Sequence, residues 1–225
     1  MKLTYFDVRG RAEPIRLLLE LTGTPYEYEG ITVADWRAGP AKLRALEVTP
    51  FAHLPLLEDG ALRLSQSQAI FRHLARMTER AGATEDERVR ADEIAEIGAD
   101  LIMHLALLFW DPEFGKKREA HRETTQKRLE GLSLHFERRS RDGRHWIQEG
   151  RATYADVAIA FALESLLPLH PGLVEQFPAL DRAMRAFFAE PNVRAYVTSE
   201  RRPRTWTIGM ASFGGKPEET HHWQR

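Results

Sequence analysis

Polar and apolar positions alternate with a period near two over residues 2–6 (Lys-Leu-Thr-Tyr-Phe) and again over 26–31 (Tyr-Glu-Tyr-Glu-Gly-Ile). Aromatic and β-branched residues interleave with charge in both, which predicts two short strands. Between them Ile15, Leu18 and Leu19 recur at helical spacing. Pro14 is tolerated in the first turn of that helix, where its missing N–H is not required, and Thr22-Gly23-Thr24-Pro25 ends it. Asp59-Gly60 separates the apolar runs 54–58 and 61–64, which predicts an antiparallel hairpin turning through Asp59 and Gly60, both at positive φ in a type I′ turn. Ser67 then opens, as N-cap, a helix with Ile70, Phe71, Leu74 and Ala75 on one face. The order through about residue 77 is strand, helix, strand, connecting segment, hairpin, helix.

Beyond that point strand signals vanish. Ile94, Ile97, Leu101, Leu105 and Leu108 are spaced three or four apart, as are Leu129, Leu132 and Phe136. Thr153-Tyr154-Ala155-Asp156 has the form of a capping box ahead of the apolar run 157–163. After Phe177-Pro178 a last helix pair follows, with Leu180, Met184 and Phe187 as its stripe. A small α/β unit over residues 1–77 and a larger all-α unit over 88–225 are expected, joined by a linker at Thr78–Glu87, where Gly82, Thr84 and charges replace hydrophobes. The tail from Arg201 is basic, then Gly-rich, then polar, and its last ten residues read as frayed.

The 225 residues suffice for one large domain or two small ones. With 32 Lys+Arg against 33 Asp+Glu and 43% hydrophobic residues, neither a disordered chain nor a nucleic-acid binder relying on bulk charge fits. There is no cysteine, so any thiol chemistry must use a borrowed thiol. The longest apolar stretches, 101–110 and 157–169, fall short of a membrane span and are interrupted by His104, Glu164 and Pro168. Nor does the start of the chain show the apolar run of a signal peptide, so a soluble, cytoplasmic protein is the default expectation. The 9 histidines are scattered without HxxxH or HExxH spacing, no phosphate-binding glycine loop occurs, and no metal is expected. On pattern alone Tyr5 is either a core tyrosine or a phenol free to donate a hydrogen bond. Lys42 reads as a solvated charge, and Arg11 as an arginine of no special meaning.

Taken as an ordered set, Lys2-Leu3-Thr4-Tyr5-Phe6, Arg9-Gly10-Arg11-Ala12-Glu13, Ala34-Asp35-Trp36, Leu54-Pro55 and Gln66-Ser67-x-Ala69-Ile70 closely resemble the cytosolic glutathione S-transferases. The likeness is greatest to the tyrosine-using sigma, pi and mu classes. The resemblance implies an α/β thioredoxin-like N-terminal domain, an all-α C-terminal domain, and glutathione as co-substrate. It further implies that Tyr5 donates a hydrogen bond to the glutathione thiolate, a change that lowers the thiol pKa, with Arg11 balancing charge or holding the Tyr5 loop. By the same resemblance Leu54 and a cis Pro55 meet the cysteinyl backbone beside His53, whose contact is mainly through backbone. Gln66 and Ser67, at a helix start, take the γ-glutamyl end. Trp36 and Lys42, six apart, reach the glycyl carboxylate, although Gly39 and Pro40 can reshape that segment. Asp100 reaches across a two-fold interface to the neighbour's γ-glutamyl amine.

A homodimer is implied, with Phe51 as candidate anchor. An acceptor pocket for a hydrophobic electrophile is placed by analogy at Val8, Arg9, Met103, His104 and Leu107, with Trp206 as a further candidate from the tail. The activity this implies is conjugation of glutathione to hydrophobic electrophiles. A sigma-type isomerase, a non-catalytic glutathione or hydrophobe binder, and a partner-binding module are the alternatives. Joint retention of Tyr5, Trp36, Lys42, Gln66 and Ser67 weighs against the last.

Overall fold

The computed structural model describes residues 1–224. Strand β1 (Lys2–Phe6) runs into a loop that ends in a 3₁₀ turn at Gly10–Ala12, then α1 (Glu13–Thr22) and β2 (Glu27–Ile31). The expected plain connection instead carries two short helices, α2 (Val33–Ala38) and α3 (Pro40–Val48). Hydrophobic periodicity misses them because α2 buries no residue and α3 only Ala45. Their local signals are caps: the Asp35 N–H donates to the Thr32 hydroxyl at 3.0 Å, and Pro40 begins α3. After them come β3 (Leu56–Asp59), β4 (Leu62–Ser65) and α4 (Ser67–Met77).

The sheet order is β2-β1-β3-β4, with β1 parallel to β2 and both β1–β3 and β3–β4 antiparallel. Asp59 pairs with Leu62, so the hairpin turns through Gly60 and Ala61, one residue later than expected, and of these only Gly60 takes positive φ (+55°). In the β1–β3 pairing Leu57 lies opposite Leu3, in one buried cluster with Ile15, Leu18, Ile70 and Leu74 of α1 and α4. Its neighbour Leu56 joins Ala45 and Ala52 in a separate cluster, as period-two alternation requires.

The helical part comprises α5 (Glu85–Phe109), α6 (Phe114–Arg139), α7 (Tyr154–Leu169), α8 (Pro178–Phe188) and α9 (Pro191–Val197). Glu85–Glu87 form the first turn of α5, where Thr84 and Glu87 make a capping box. The box before α7 also forms: the Asp156 carboxylate accepts the Thr153 N–H and hydroxyl, both at 2.7 Å, and the Trp146 N–H at 2.9 Å. Helix α5 approaches α7 closely at Gly98, where a Cβ would lie 2.9 Å from the Cβ of Ala158. Among the described residues no helix is long and apolar enough to cross a membrane.

Over residues 216–224 the tail corrects the expectation of fraying, Arg225 lying outside the described residues. The Trp223 ring stacks on Phe188 with centroids 4.8 Å apart and donates its Nε1–H to Glu164 at 2.5 Å, while Arg9 Nη1 donates to the His221 carbonyl at 2.7 Å. Composition cannot register this, because every anchor is supplied by a residue remote in sequence.

Candidate active site

Tyr5 stands near the end of β1, paired with Gly30 of β2 and 9% exposed. Its Oη accepts the Arg11 N–H at 3.3 Å. Burial raises the phenol pKa, and the Arg11 N–H with the charges of Arg16 and Arg11 only partly offsets this. The group therefore keeps its proton at neutral pH and has an O–H to donate. Gly10 makes room for it. The φ of Gly10 is +42°, and a Cβ there would lie 2.7 Å from Tyr5 Oη. In the sequence this glycine stands within the Arg9–Glu13 motif without a role of its own; its signal is a lone Gly between a strand end and a helix start.

Val8 and Ala12 are buried with Tyr5 in a small apolar cluster, and Leu54 packs against it. Leu54 also packs against the Ala45–Ala52–Leu56 cluster, as does Trp36, so it links the Tyr5 side to the Trp36 side. Phe6 lies edge-on to Trp36 at 5.9 Å and to Tyr5 at 5.7 Å. The Leu54–Pro55 peptide is cis. Trp36 lies on α2 and Lys42 on α3, with Gly39 at φ +103° between them, and Lys42 is exposed.

At α4 the N-cap is Gln66, not Ser67. Gln66 holds φ +73°, which is strained for a side chain of its size. Its amide Nε2 lies 3.0 Å from His53 Nδ1, so the His53 side chain meets that of Gln66. Ser67, as the first helical residue, has its N–H among the unpaired amides of the helix start. Arg11, Ser67, Gln68 and Met103 line one gap of ≈80 Å³ between α1, α4 and α5, and Arg11 Nη2 lies 3.3 Å from Met103 Sδ.

Of the other expected acceptor residues, Arg9, His104 and Trp206 go elsewhere. Arg9 is 2% exposed and buried among ion pairs, so it lines no pocket. His104 turns to α6: its Nδ1–H donates to the Asp100 carbonyl at 2.6 Å, leaving Nε2 to accept from Arg128 at 3.1 Å. Leu107 is 64% exposed. The Trp206 ring is buried against Phe109, at 4.9 Å, and its Nε1–H donates to Ser165. From the tail it is Ile208 that packs against the Tyr5 cluster, and Arg37 of α2 touches Met210. Asp100 is exposed on α5.

Residues 1–76 match the profile of "Glutathione S-transferase, N-terminal domain" and residues 99–200 that of "Glutathione S-transferase, C-terminal domain". Glutathione S-transferase Mu 2 of Mus musculus is 32% identical over 209 residues, covering 89% of this chain and 92% of its own. The chain belongs to the glutathione S-transferase family. Glutathione S-transferase Mu 1 of Homo sapiens is 31% identical over 96% of this chain and 99% of its own. The solved Pi-class glutathione S-transferase of Onchocerca volvulus superposes with a TM-score of 0.78 at 28% identity, covering 87% of this chain and 90% of that one.

Beneath the Tyr5 loop this transferase buries a network of charge. Arg202 donates to Glu13 at 2.6 Å and to both Glu164 oxygens at 2.8 and 2.6 Å, and Arg16 pairs with Glu13 at 2.9 Å. Burial alone would raise the Glu13 pKa, but Arg202, Arg16 and Arg9 pull it down to about 2. Arg16 Nη2 also donates to the carbonyls of Val8 and Arg9, at 2.6 and 3.0 Å, which stiffens the loop. A separate cavity of ≈730 Å³, between the start of α5, the end of α6 and the 141–151 loop, contains none of the Tyr5-side residues and balances four arginines against four acids.

Proposed function

We propose that this transferase adds the thiolate of glutathione to hydrophobic electrophiles, with the Tyr5 hydroxyl donating a hydrogen bond to the sulfur. The observation that carries the reading is the protonated, buried Tyr5 phenol, its Oη backed by the Arg11 N–H over a glycine that leaves room for it. A donor already in place favours the charged sulfur without reorganisation. Ser67 and Gln66 at the start of α4 suit a carboxylate and amine, the Leu54 backbone suits a peptide, and Lys42 of α3 with Trp36 of α2 suits a second carboxylate. His53 acts through Gln66. Arg11, Val8 and Met103, with Ile208 from the tail, border the space left for the acceptor; Arg9 and His104 take no part in it.

The residues 1–77 and 88–225 are read as the two domains, and a cytoplasmic location as that of the cytosolic branch of the family. Two copies are expected to pair through Phe51, 64% exposed beside buried Ala52, bringing Asp100 to the neighbour's site. A solution mass equal to the 25.8 kDa of one chain would contradict the pairing.

Thiolate ultraviolet absorbance of bound glutathione, titrated against pH, tests the central claim. Wild type should show a thiol pKa well below the free value. Tyr5→Phe should return it toward that value and change glutathione affinity only a few-fold. An unshifted pKa in wild type, or an unchanged one in Tyr5→Phe, removes Tyr5 from the reaction.

A further inference from the structure

The loop between β1 and α1 hangs on the far end of the chain. In successive residues the Arg9 N–H donates to the Thr205 carbonyl and the Gly10 N–H to the Trp206 carbonyl, both at 2.9 Å. The next N–H, of Arg11, is the one that reaches Tyr5 Oη. Arg9 repeats the tie through its buried guanidinium, with Nε donating to the Pro203 carbonyl at 3.0 Å and Nη1 to the His221 carbonyl at 2.7 Å. One side chain thus grips both ends of the tail segment 203–221. Trp223 pins the segment just beyond, through its stack on Phe188 and its bond to Glu164, and Glu164 in turn lies 3.8 Å from Arg9 Nη1.

We propose that Arg9 and the C-terminal segment 203–223 form a strap that positions the Tyr5 hydroxyl and the Arg11 N–H for thiolate stabilisation. The proposal rests on the reading of Tyr5 given above. Arg9 is a positioning residue, since it touches neither substrate nor sulfur. Without the strap the N–H groups of Arg9 and Gly10 lose their acceptors, and an unpaired buried amide is costly enough to drive the loop to another conformation. Gly10 has wide freedom in φ, so the loop can move there, and any movement shifts the N–H behind Tyr5. Ile208 rides on the same segment and packs on the Tyr5 cluster, so release of the strap also unpacks the phenol. Lysine cannot replace Arg9, because one ammonium lacks the fork that reaches two carbonyls at once.

The test is the same thiolate titration on full-length Arg9→Lys and Trp223→Ala, beside wild type and Tyr5→Phe, with folding checked by circular dichroism. Each strap variant should raise the bound-thiol pKa by about half to one unit, a three- to tenfold change in the ionisation constant. The pH–rate profile should move by the same amount, while KM for glutathione stays within about threefold. Added to Tyr5→Phe, neither change should move the pKa further. A wild-type pKa in folded Arg9→Lys or Trp223→Ala overturns the strap as a positioning device. If Arg9→Lys does not fold, Trp223→Ala alone decides, since it leaves Arg9 intact. If wild type shows no depressed pKa, or Tyr5→Phe keeps one, the Tyr5 reading falls and the strap with it. If those two controls behave as expected and the strap variants match wild type, only the strap falls.

Discussion

The arithmetic of thiol activation limits what one phenol can supply. Lowering a thiol pKa from about 8.5 to about 6.5 raises the thiolate fraction at pH 7 from roughly 3% to roughly 75%, about 25-fold. The weaker nucleophilicity of the lower-pKa thiolate takes back about 6- to 10-fold at a Brønsted slope of ~0.4 to 0.5, leaving only about threefold. Orientation of the electrophile must provide the rest of the acceleration. Gly10 is where this residue-scale geometry is most exposed to test. Gly10→Ala places a Cβ 2.7 Å from Tyr5 Oη at φ +42°, whereas Gly60→Ala, at φ +55°, meets nothing within 4 Å. Both should lose about 1 to 2 kcal/mol of stability in urea melts through backbone strain. Only Gly10→Ala should raise the bound-thiol pKa; equal thiol pKa values in the two variants would show that Gly10 serves the loop and not the phenol. Tyr5, Trp36, Leu54, Gln66 and Ser67 were legible as an ordered set that includes Gly10, but the role of Gly10 was not, because its meaning is a distance to a side chain five residues earlier.

Among the elements, helices with a strong apolar stripe or a capping signature were readable and weakly amphipathic ones were not. Helix α4, with Ile70, Phe71, Leu74 and Ala75 buried, follows its pattern, while α2 and α3 bury almost nothing and left no periodic trace. The Thr153–Asp156 box is the clearest case of a local motif acquiring a tertiary task, because Asp156 also accepts the Trp146 N–H from the preceding loop. Asp156→Ala removes the N3 half of the capping box and strands three buried donors. A loss of about 2 to 4 kcal/mol in denaturant unfolding is expected. Hydrogen exchange should rise first at the start of α7 and the 146–153 loop; protection lost evenly over the molecule would contradict a local role. The turn of the β3–β4 hairpin falls one residue later than expected because register answers to packing, here Leu57 opposite Leu64, which packs against the main core, before it answers to the dipeptide most suited to turning.

For the whole molecule, buried ionisable groups tie distant segments together and set the response to acid. His121 of α6 and His170 after α7 meet at 2.9 Å between Nδ1 and Nε2. Burial, then His104, lowers the His121 pKa from 6.5 to about 4, and burial, then His121, lowers that of His170 to about 3. Below pH 6.5 the unfolded chain therefore takes up protons that the folded pair refuses, so stability falls with pH between 6.5 and those folded values. In urea unfolding across that range, the double variant H121Q/H170Q should show a flatter pH dependence than wild type. An identical slope would assign the acid sensitivity to the buried carboxylates.

By itself the sequence determined the order of strands and main helices, the absence of any native thiol, the Thr153–Asp156 capping box and the set of residues that marks the family, since each is a matter of residue type and local spacing. The tertiary structure alone decided that Arg9 is buried and not pocket-lining, that His104 turns to α6, that Ile208 and not Trp206 meets the Tyr5 cluster, and that the polar tail is docked. Those outcomes depend on partners up to about two hundred residues away, as between Arg9 and His221, and a charge or ring declares its partner only once the chain has closed on itself.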